Sequence, residues 1–250
     1  MKFKEFGEKA HPTVILLHRE GLSWRSLKDV IRCLEQDYHV VAPVIDGDGE
    51  DGAAAFVSIQ DSAKKLIRYI DADCHGNVLA IGGLCLGAQI AVEALSERAD
   101  IARYAVLESA SVCPEDGFLP WLILAWGLLC SLAGRLFAQI GRKRMDAPRS
   151  PRGQSCGDGS GIPERSVFRV AASCRSYALP DGIKKARAKI LLIVGTRELR
   201  RMDRSVRTLM GAVPGLQVCV SPGTRSGGFT LFHPEEYLSL VERFLEGKLS

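Results

Sequence analysis

The sequence lacks both a recognisable targeting segment and a membrane span. Its first residues, Met1-Lys2-Phe3-Lys4-Glu5, contain no apolar core of the kind that a secretory signal needs, so we expect a cytoplasmic protein. The longest apolar run covers residues 118–134 and contains Pro120. It is about 17 residues long, against the roughly 20 that cross a bilayer. We expect a buried or lid helix here, with a membrane anchor as the less favoured alternative.

Paired cysteines and a basic surface motif are also missing. None of the eight cysteines stands in a C-x-x-C pair, and three lie in apolar segments (Cys85, Cys130 and Cys219), so reduced thiols are the simpler interpretation. The net charge is only +4, and the basic residues at 142–144 and 197–207 are not interleaved with aromatic ones. We therefore expect no nucleic-acid partner, and the oligomeric state stays open.

Metal-ligand patterns are scarce as well. His11, His39 and His75 fall at no metal-ligand spacing. The acidic loop 46–51 resembles the start of an EF-hand, but its twelfth position is Val57, where a bidentate glutamate is required. A solvated turn is the better interpretation, and we predict no metal and no other cofactor.

What the sequence does contain is an alternation of strand and helix patterns. Short continuous apolar runs, typical of buried parallel strands, alternate with segments whose apolar residues recur at helical spacing. The predicted strands are 13–17, 38–44, 77–81, 104–107, 189–194 and 216–220, and the predicted helices are 24–34, 59–70, 89–95, 203–210 and 234–245. This order predicts one α/β domain with a doubly wound, mostly parallel sheet, whose crevice lies at the carboxyl ends of the strands.

The alternation is interrupted between residues 112 and 185. The interruption begins with the apolar run 118–132 and continues with residues 142–164, which are dense in Arg, Gly, Ser and Pro. We interpret 112–185 as a lid insertion of helical and irregular segments, and we expect loop or disorder over 142–175.

The segment Gly83-Leu84-Cys85-Leu86-Gly87 lies where a predicted buried strand turns into a predicted helix. Its spacing matches the G-x-S-x-G nucleophile elbow, in which the two glycines let strand and helix pass closely. Cys85 replaces the usual serine. A thiol has a lower pKa than a hydroxyl, and the start of a helix favours the thiolate, so the replacement is compatible with nucleophilic chemistry.

Several segments together resemble the α/β-hydrolase fold family, in particular a group of small bacterial hydrolases. They are Leu16-Leu17-His18 with Gly21-Leu22-Ser23-Trp24, Val44-Ile45-Asp46-Gly47-Asp48-Gly49-Glu50-Asp51, the elbow segment with Ala88-Gln89, Val194-Gly195-Thr196-Arg197-Glu198, and His233-Pro234-Glu235-Glu236-Tyr237. The resemblance implies the α/β-hydrolase fold and hydrolysis of a carboxylic ester, thioester or lactone. Dienelactone hydrolase has this fold with a cysteine nucleophile.

The resemblance also implies a triad in the chain order nucleophile, acid, histidine. Cys85 takes the place of the nucleophile, and Glu198, just after the strand 189–194, takes the place of the acid. The histidine is expected in the loop after the last strand, where this sequence has Ser226, which is no general base near neutral pH. His233 is then the candidate base, with water as the alternative. An exposed surface role for Glu198 and a helix-entry role for His233 remain open.

The implied oxyanion donors are the N–H of Leu86 and an N–H of the loop after the first strand. Relatives carry a His-Gly-Gly-Gly-like loop there, whereas this chain has His18-Arg19-Glu20-Gly21, and the side chains of Arg19 and Glu20 restrict the backbone. The Arg19-Glu20 pair, Cys85 and Ser226 are thus three departures from the family pattern in one site.

Two hypotheses follow from these departures. The first is a hydrolase of a small apolar acyl substrate, with the run 118–132 lining the acyl pocket. The second is a catalytically impaired relative that binds an apolar ligand or a protein partner in the same crevice.

Overall fold

The computed structural model describes residues 1–47, 54–115 and 164–249, with side chains from residue 168 onward in the last range. The chain divides into two units, residues 1–114 with 159–250 and residues 115–158. All described residues except Glu115 belong to the first unit. The run 118–132, predicted to line an acyl pocket, and most of the predicted insertion lie outside the described residues.

Seven strands form one sheet within the described part of the chain. They are β1 (Lys2–Phe6), β2 (Thr13–Leu17), β3 (His39–Val44), β4 (Val78–Leu84), β5 (Ala102–Glu108), β6 (Lys189–Gly195) and β7 (Gln217–Ser221). Their order is β1-β3-β2-β4-β5-β6-β7, and every neighbouring pair is parallel except β1 and β3. The predicted doubly wound, mostly parallel sheet is confirmed.

Helices cover the sheet and connect its strands. They are α1 (Lys28–Leu34), α2 (Ile59–Asp73), α3 (Leu86–Glu97), α4 (Glu164–Ser176), α5 (Leu199–Ala212), α6 (Gly228–Phe232) and α7 (Pro234–Leu245), with 3-10 segments at Trp24–Leu27 and Asp181–Lys185. Within the described residues, no helix combines the length and the apolar character needed to cross a bilayer.

Two apolar layers enclose the sheet, because successive side chains of a strand point to opposite faces. In β2, Ile15 and Leu17 belong to the layer that packs against α2 and α3. Val14 and Leu16 belong to the opposite layer, which packs against α1 and α7. Burial on both faces explains why this strand is a continuous apolar run in the sequence.

Strand β1 is absent from the sequence-based prediction. Its charged residues suit an edge strand, and two aromatic residues secure it on opposite faces of the sheet. The ring of Phe3 stacks on Tyr69 with centroids 3.8 Å apart, and Phe6 lies 5.2 Å from Trp24. Five residues of mixed character give too weak a period to be recognised without these partners.

Helix α4 corrects the expectation of loop or disorder over 142–175, which does not hold from residue 164 onward. Val170 and Cys174, one turn apart, pack against the apolar layer beside α3. The carbonyl of Cys174 also accepts a hydrogen bond from Gln89 Nε2, at 3.0 Å. The helix is rich in Arg and Ser, so tertiary contacts rather than a strong apolar pattern define it.

Candidate active site

Cys85 lies at the turn between β4 and α3 in a backbone conformation that few residues adopt. Its φ is 49° and its ψ is −107°, outside the regions that ordinary L-residues populate. Its N–H donates to the carbonyl of Glu108 at 2.9 Å, and its carbonyl accepts from the N–H of Gln89 at 3.0 Å. Contacts to β5 and α3 thus hold the strained residue in place.

The two elbow glycines allow strand and helix to cross closely. A Cβ atom on Gly83 would lie 2.5 Å from the carbonyl oxygen of Gly87, and one on Gly87 would lie 2.4 Å from the carbonyl oxygen of Leu17. Neither distance is tolerable, so any side chain at these positions would force α3 away from the sheet. The elbow geometry that the spacing predicts is present.

The Cys85 thiol is largely buried and neutral at pH 7. Burial raises the pKa of the thiol well above its ordinary value, the charge of Glu20 raises it further, and Arg19 partly offsets this. Glu198 and Glu108 also raise the pKa of Cys85. Burial and the nearby carboxylates therefore outweigh the stabilisation of a thiolate that the start of α3 offers.

Alkylation of Cys85 should therefore be slow at pH 7 and should still be accelerating above pH 9, the ordinary pKa of a thiol. Glu20→Gln removes one carboxylate charge, which lowers the pKa of Cys85, and should therefore speed alkylation at pH 8. Iodoacetamide labelling followed by peptide mass spectrometry measures this. The exposed Cys33 is the internal reference. Equal labelling rates for Cys33 and Cys85 at pH 7 would contradict the prediction.

The predicted oxyanion donor is occupied by a side chain of the protein itself. The N–H of Leu86 donates to Glu20 Oε2 at 3.3 Å. Arg19 Nη2 donates to Glu20 Oε1 at 3.3 Å, and Arg19 Nη1 donates to the carbonyl of Ser226 at 2.6 Å. We call this chain of contacts the Glu20 bridge. Gly21, the remaining predicted loop residue, is exposed with φ at 72°.

Glu198 is buried, 5% exposed, and so is not an exposed surface glutamate. Its Oε2 accepts from the N–H of Ser226 at 2.9 Å, and its Oε1 accepts from the N–H of Gly195 at 3.3 Å and from Ser109 Oγ. Arg201 Nη2 lies 3.7 Å from the carboxylate. The predicted acid thus contacts the residue that replaces the expected histidine.

Ser109 is a site residue that the sequence-based prediction missed. It follows β5 with φ at 56°, and its Oγ donates to Glu198 and accepts from the N–H of Gly227 at 3.1 Å. Ser109 therefore joins the acid to the loop after β7. Its position in the sequence, directly after a buried parallel strand, could have indicated a site residue, because such sheets bind ligands at the carboxyl ends of their strands.

Glu108, the last residue of β5, is buried and holds the start of α6. Its carboxylate accepts from the N–H of Phe229 at 2.8 Å, from the N–H of Thr230 at 3.1 Å and from Thr230 Oγ1. Burial raises the pKa of Glu108, while these hydrogen bonds lower it in part. The loop that should carry the catalytic histidine is thus fastened by two carboxylates, Glu198 and Glu108.

His233, the candidate base, lies between α6 and α7 with its side chain 46% exposed. Its Nδ1 is 3.4 Å from Glu236 Oε1, and its ring faces that of Phe229 at 6.3 Å. In the part of the chain that the structure describes, none of its contacts joins Cys85 or Glu198. Its role as base stays a prediction that requires movement of this loop.

His18 directly precedes Arg19 in the chain, but its ring is fully buried and both of its nitrogens are engaged. Its Nδ1 lies 2.9 Å from the carbonyl of Arg19, and its Nε2 accepts from the N–H of Ile45 at 3.3 Å. Both ring nitrogens are therefore occupied, and His18 ties the ends of β2 and β3 together.

The described residues contain no cluster of three or more His, Cys, Asp or Glu able to hold a metal ion. Asp46, at the start of the acidic loop, pairs with Lys65 at 2.7 Å. Residues 48–53 of that region lie outside the described ranges.

Comparison of the sequence with known protein families and with curated proteins gave no match. The structure, in contrast, resembles many solved structures. An α/β-hydrolase family protein from Desulfitobacterium hafniense is 21% identical with a TM-score of 0.74, over 98% of this chain and 100% of that one. A carboxylesterase from Bacillus subtilis is 20% identical with a TM-score of 0.65, over 99% and 88% of the chains.

An enol-lactonase from Burkholderia xenovorans LB400 is 14% identical with a TM-score of 0.70, over 98% of this chain and 96% of that one. These similarities show the fold and do not transfer a reaction, since one fold hosts many activities. The fold implied by the sequence segments is confirmed.

Proposed function

We propose, from the α/β-hydrolase fold of the chain, that it is a slow hydrolase of carboxylic esters, thioesters or lactones, with Cys85 as the nucleophile. The contact between Glu20 and Leu86 carries this proposal. An N–H that holds a carboxylate oxygen at 3.3 Å, directly after a strained elbow residue, is oriented to hold the oxyanion of a tetrahedral intermediate. The esterase and the lactonase among the similar structures support the substrate class.

The reaction begins when Glu20 leaves the N–H of Leu86 and the substrate carbonyl oxygen takes its place. The thiol loses its proton to a base, the sulfur of Cys85 bonds to the carbonyl carbon, and the electron pair of the C=O bond moves to the oxygen held by Leu86. Collapse of this intermediate expels the alcohol or thiol, which receives the proton. Water then attacks the acyl thioester and releases the acid and free Cys85.

Both the acylation of Cys85 and the hydrolysis of the acyl thioester require a proton carrier. Two carriers are compatible with the chain, His233 after movement of the loop around Gly227, and a water molecule. Glu198 has no histidine to orient in this arrangement and holds the backbone of Ser226 instead. A neutral, partly exposed thiol with no histidine among its described contacts explains why we expect slow turnover.

A second candidate is an impaired relative that binds an apolar ligand or a protein partner and catalyses nothing. The surroundings of Cys85 favour it, because burial and nearby carboxylates raise the pKa of the thiol and the described contacts of His233 are with Glu236 and Phe229. The two candidates differ in whether removal of the Cys85 sulfur changes any reaction rate.

Hydrolysis of a panel of p-nitrophenyl esters and thioesters by the wild type and by Cys85→Ala separates the candidates. We expect measurable turnover in the wild type and a loss of at least about 100-fold in Cys85→Ala, since the covalent route disappears. Cys33→Ala, which removes an exposed thiol, is the matched control and should keep the wild-type rate. Equal rates for Cys85→Ala and the wild type would overturn the assignment of Cys85.

A further inference from the structure

We propose that the edge of the sheet at β7 pairs with the same edge of a second copy of this chain, antiparallel, about a two-fold axis at Cys219. The pairing uses no residue of the candidate active site, so it does not depend on the proposed hydrolysis. It rests on the charge, the backbone and the exposed side chains of β7 and of the helix beside it.

The two edges of the sheet differ in charge. At one edge, β1 carries Lys2, Lys4 and Glu5, and charged residues of this kind protect an edge strand from pairing with another chain. At the other edge, β7 has the sequence Gln217-Val218-Cys219-Val220-Ser221, which contains no charge and no proline. Within the described residues, its one neighbour in the sheet is β6. The residues of β7 thus offer no barrier to a further strand.

The backbone of β7 presents alternate residues to β6 and to the edge. The carbonyl of Ser221 accepts from the N–H of Thr196, directly after β6, at 2.9 Å. The N–H and C=O groups of Ser221 and Cys219 therefore point towards β6. Those of Val218 and Val220, the residues between, point towards the edge, where a new strand would find both donors and acceptors.

The side chains of the same two valines are exposed on the face that α5 covers. Val218 and Val220 are 38% and 44% exposed. They pair in register with Leu192 and Val194, whose side chains belong to the apolar layer that also contains the buried residues of α5. The valines therefore lie beside α5, at the margin of that layer.

One flank of α5 extends this apolar surface. Thr208 and the 3-10 segment Asp181–Lys185, which also contacts α3, line one cavity, so the flank of α5 opposite Thr208 faces β7. Val206 and Met210 lie about 160° around the helix from Thr208, and Leu199 lies opposite it. Met210 is 56% exposed and Leu199 is 37% exposed. Four of the seven large apolar side chains exposed in the described residues thus lie along one edge, which marks an interaction surface.

The strand is complementary to itself, and this identifies the partner as a second copy. About an axis at Cys219, Val218 of each copy lies opposite Val220 of the other. Because the backbone groups of both valines point towards the edge, these residues form hydrogen-bonded pairs, and Cys219 faces its own copy in a non-hydrogen-bonded pair. Gln217 and Ser221 are opposite one another at the ends, so no charge is buried.

Charges on α5 suit the same arrangement. Asp203 and Arg207 are 57% and 78% exposed and lie one turn apart. A two-fold axis perpendicular to the sheet makes the two copies of α5 antiparallel, which aligns Asp203 of each copy with Arg207 of the other. The charged β1 edges remain at the two ends of the joined sheet, so the assembly closes as a dimer.

An exchange of charge across the valine pairs provides the sharpest test, because its outcome depends on the register. In Val218→Lys with Val220→Lys, like charges face each other across the axis, whereas in Val218→Lys with Val220→Glu, opposite charges do. We expect the dimer dissociation constant of the first variant to be at least about tenfold higher than that of the second. Analytical ultracentrifugation over a concentration series measures both constants. Val57→Lys, at a valine 56% exposed outside this edge, is the control and should keep the wild-type constant.

Hydrogen exchange in the wild type tests the same pairing without any substitution. The amides of Val218 and Val220 should exchange more slowly at concentrations where the dimer forms, while the amide of Cys219, which faces β6, should show no such dependence. A wild type that stays monomeric, or equal dissociation constants for the two charged variants, would overturn the proposal. Protection of the Val218 and Val220 amides in a monomer would overturn it too, since residues of the same chain would then cover the edge.

Discussion

Ser226→His should raise ester hydrolysis at least about 100-fold over the wild type, the usual contribution of a positioned general base. The N–H of Ser226 lies 2.9 Å from Glu198 Oε2, so an imidazole attached at this residue is within reach of a buried carboxylate that can orient it. The backbone also accepts the change. Ser226 has φ at 51°, a region that histidine enters more readily than β-branched residues do.

Two matched variants isolate the contribution of the base. Ser226→Asn introduces a side chain close in size to that of histidine. Asparagine tolerates positive φ and accepts no proton near neutral pH, so this variant should hydrolyse esters at the wild-type rate. Ser226→His combined with Cys85→Ala should lose the gain. Steady-state kinetics with p-nitrophenyl acetate measure all three. A rate in Ser226→His that does not exceed that of Ser226→Asn would show that the Glu198 loop is not arranged for a triad.

Gly87→Ala should destabilise the protein by at least about 3 kcal/mol, or prevent folding, because the new methyl group would strike backbone. A Cβ at this position would lie 2.4 Å from the carbonyl oxygen of Leu17 and 2.7 Å from that of His18. Neither oxygen can move without breaking the turn that follows β2. Urea unfolding followed by circular dichroism gives the change in the free energy of unfolding.

Gly211→Ala is the control, since it lies in α5 with no atom within 4 Å of the added Cβ. It should stabilise the protein by about 0.5 to 1 kcal/mol through the higher helix propensity of alanine. Similar effects of the two substitutions would mean that the elbow glycines are not required by close packing.

The sheet and its helices were largely predictable because their patterns are local. The run Thr13–Leu17 and the helix Pro234–Leu245 have the predicted bounds. Strand β1 and helix α4 were not predictable in this way, since each depends on partners far away in the chain, such as Tyr69 for β1 and Gln89 for α4.

The residues of the candidate site also differ in whether local sequence patterns predict them. Cys85 is marked by the glycines around it, and Glu198 by its place after β6. Glu20 accepts a hydrogen bond from the N–H of Leu86, although the two residues are 66 positions apart in the chain. No spacing in the sequence predicts this contact. Ser109 and Glu108 were missed because a polar residue after a strand carries no indication of which loop it will hold.

Covalent acylation of Cys85 tests the proposed hydrolase most directly. The wild type is mixed with excess p-nitrophenyl acetate at pH 8, quenched in acid within one turnover and analysed by peptide mass spectrometry. We predict an acetyl group on the peptide that contains Cys85, and its loss from samples quenched after the ester has been consumed. Release of p-nitrophenol with no acetyl group on Cys85 at any time would contradict the role of Cys85 as the nucleophile.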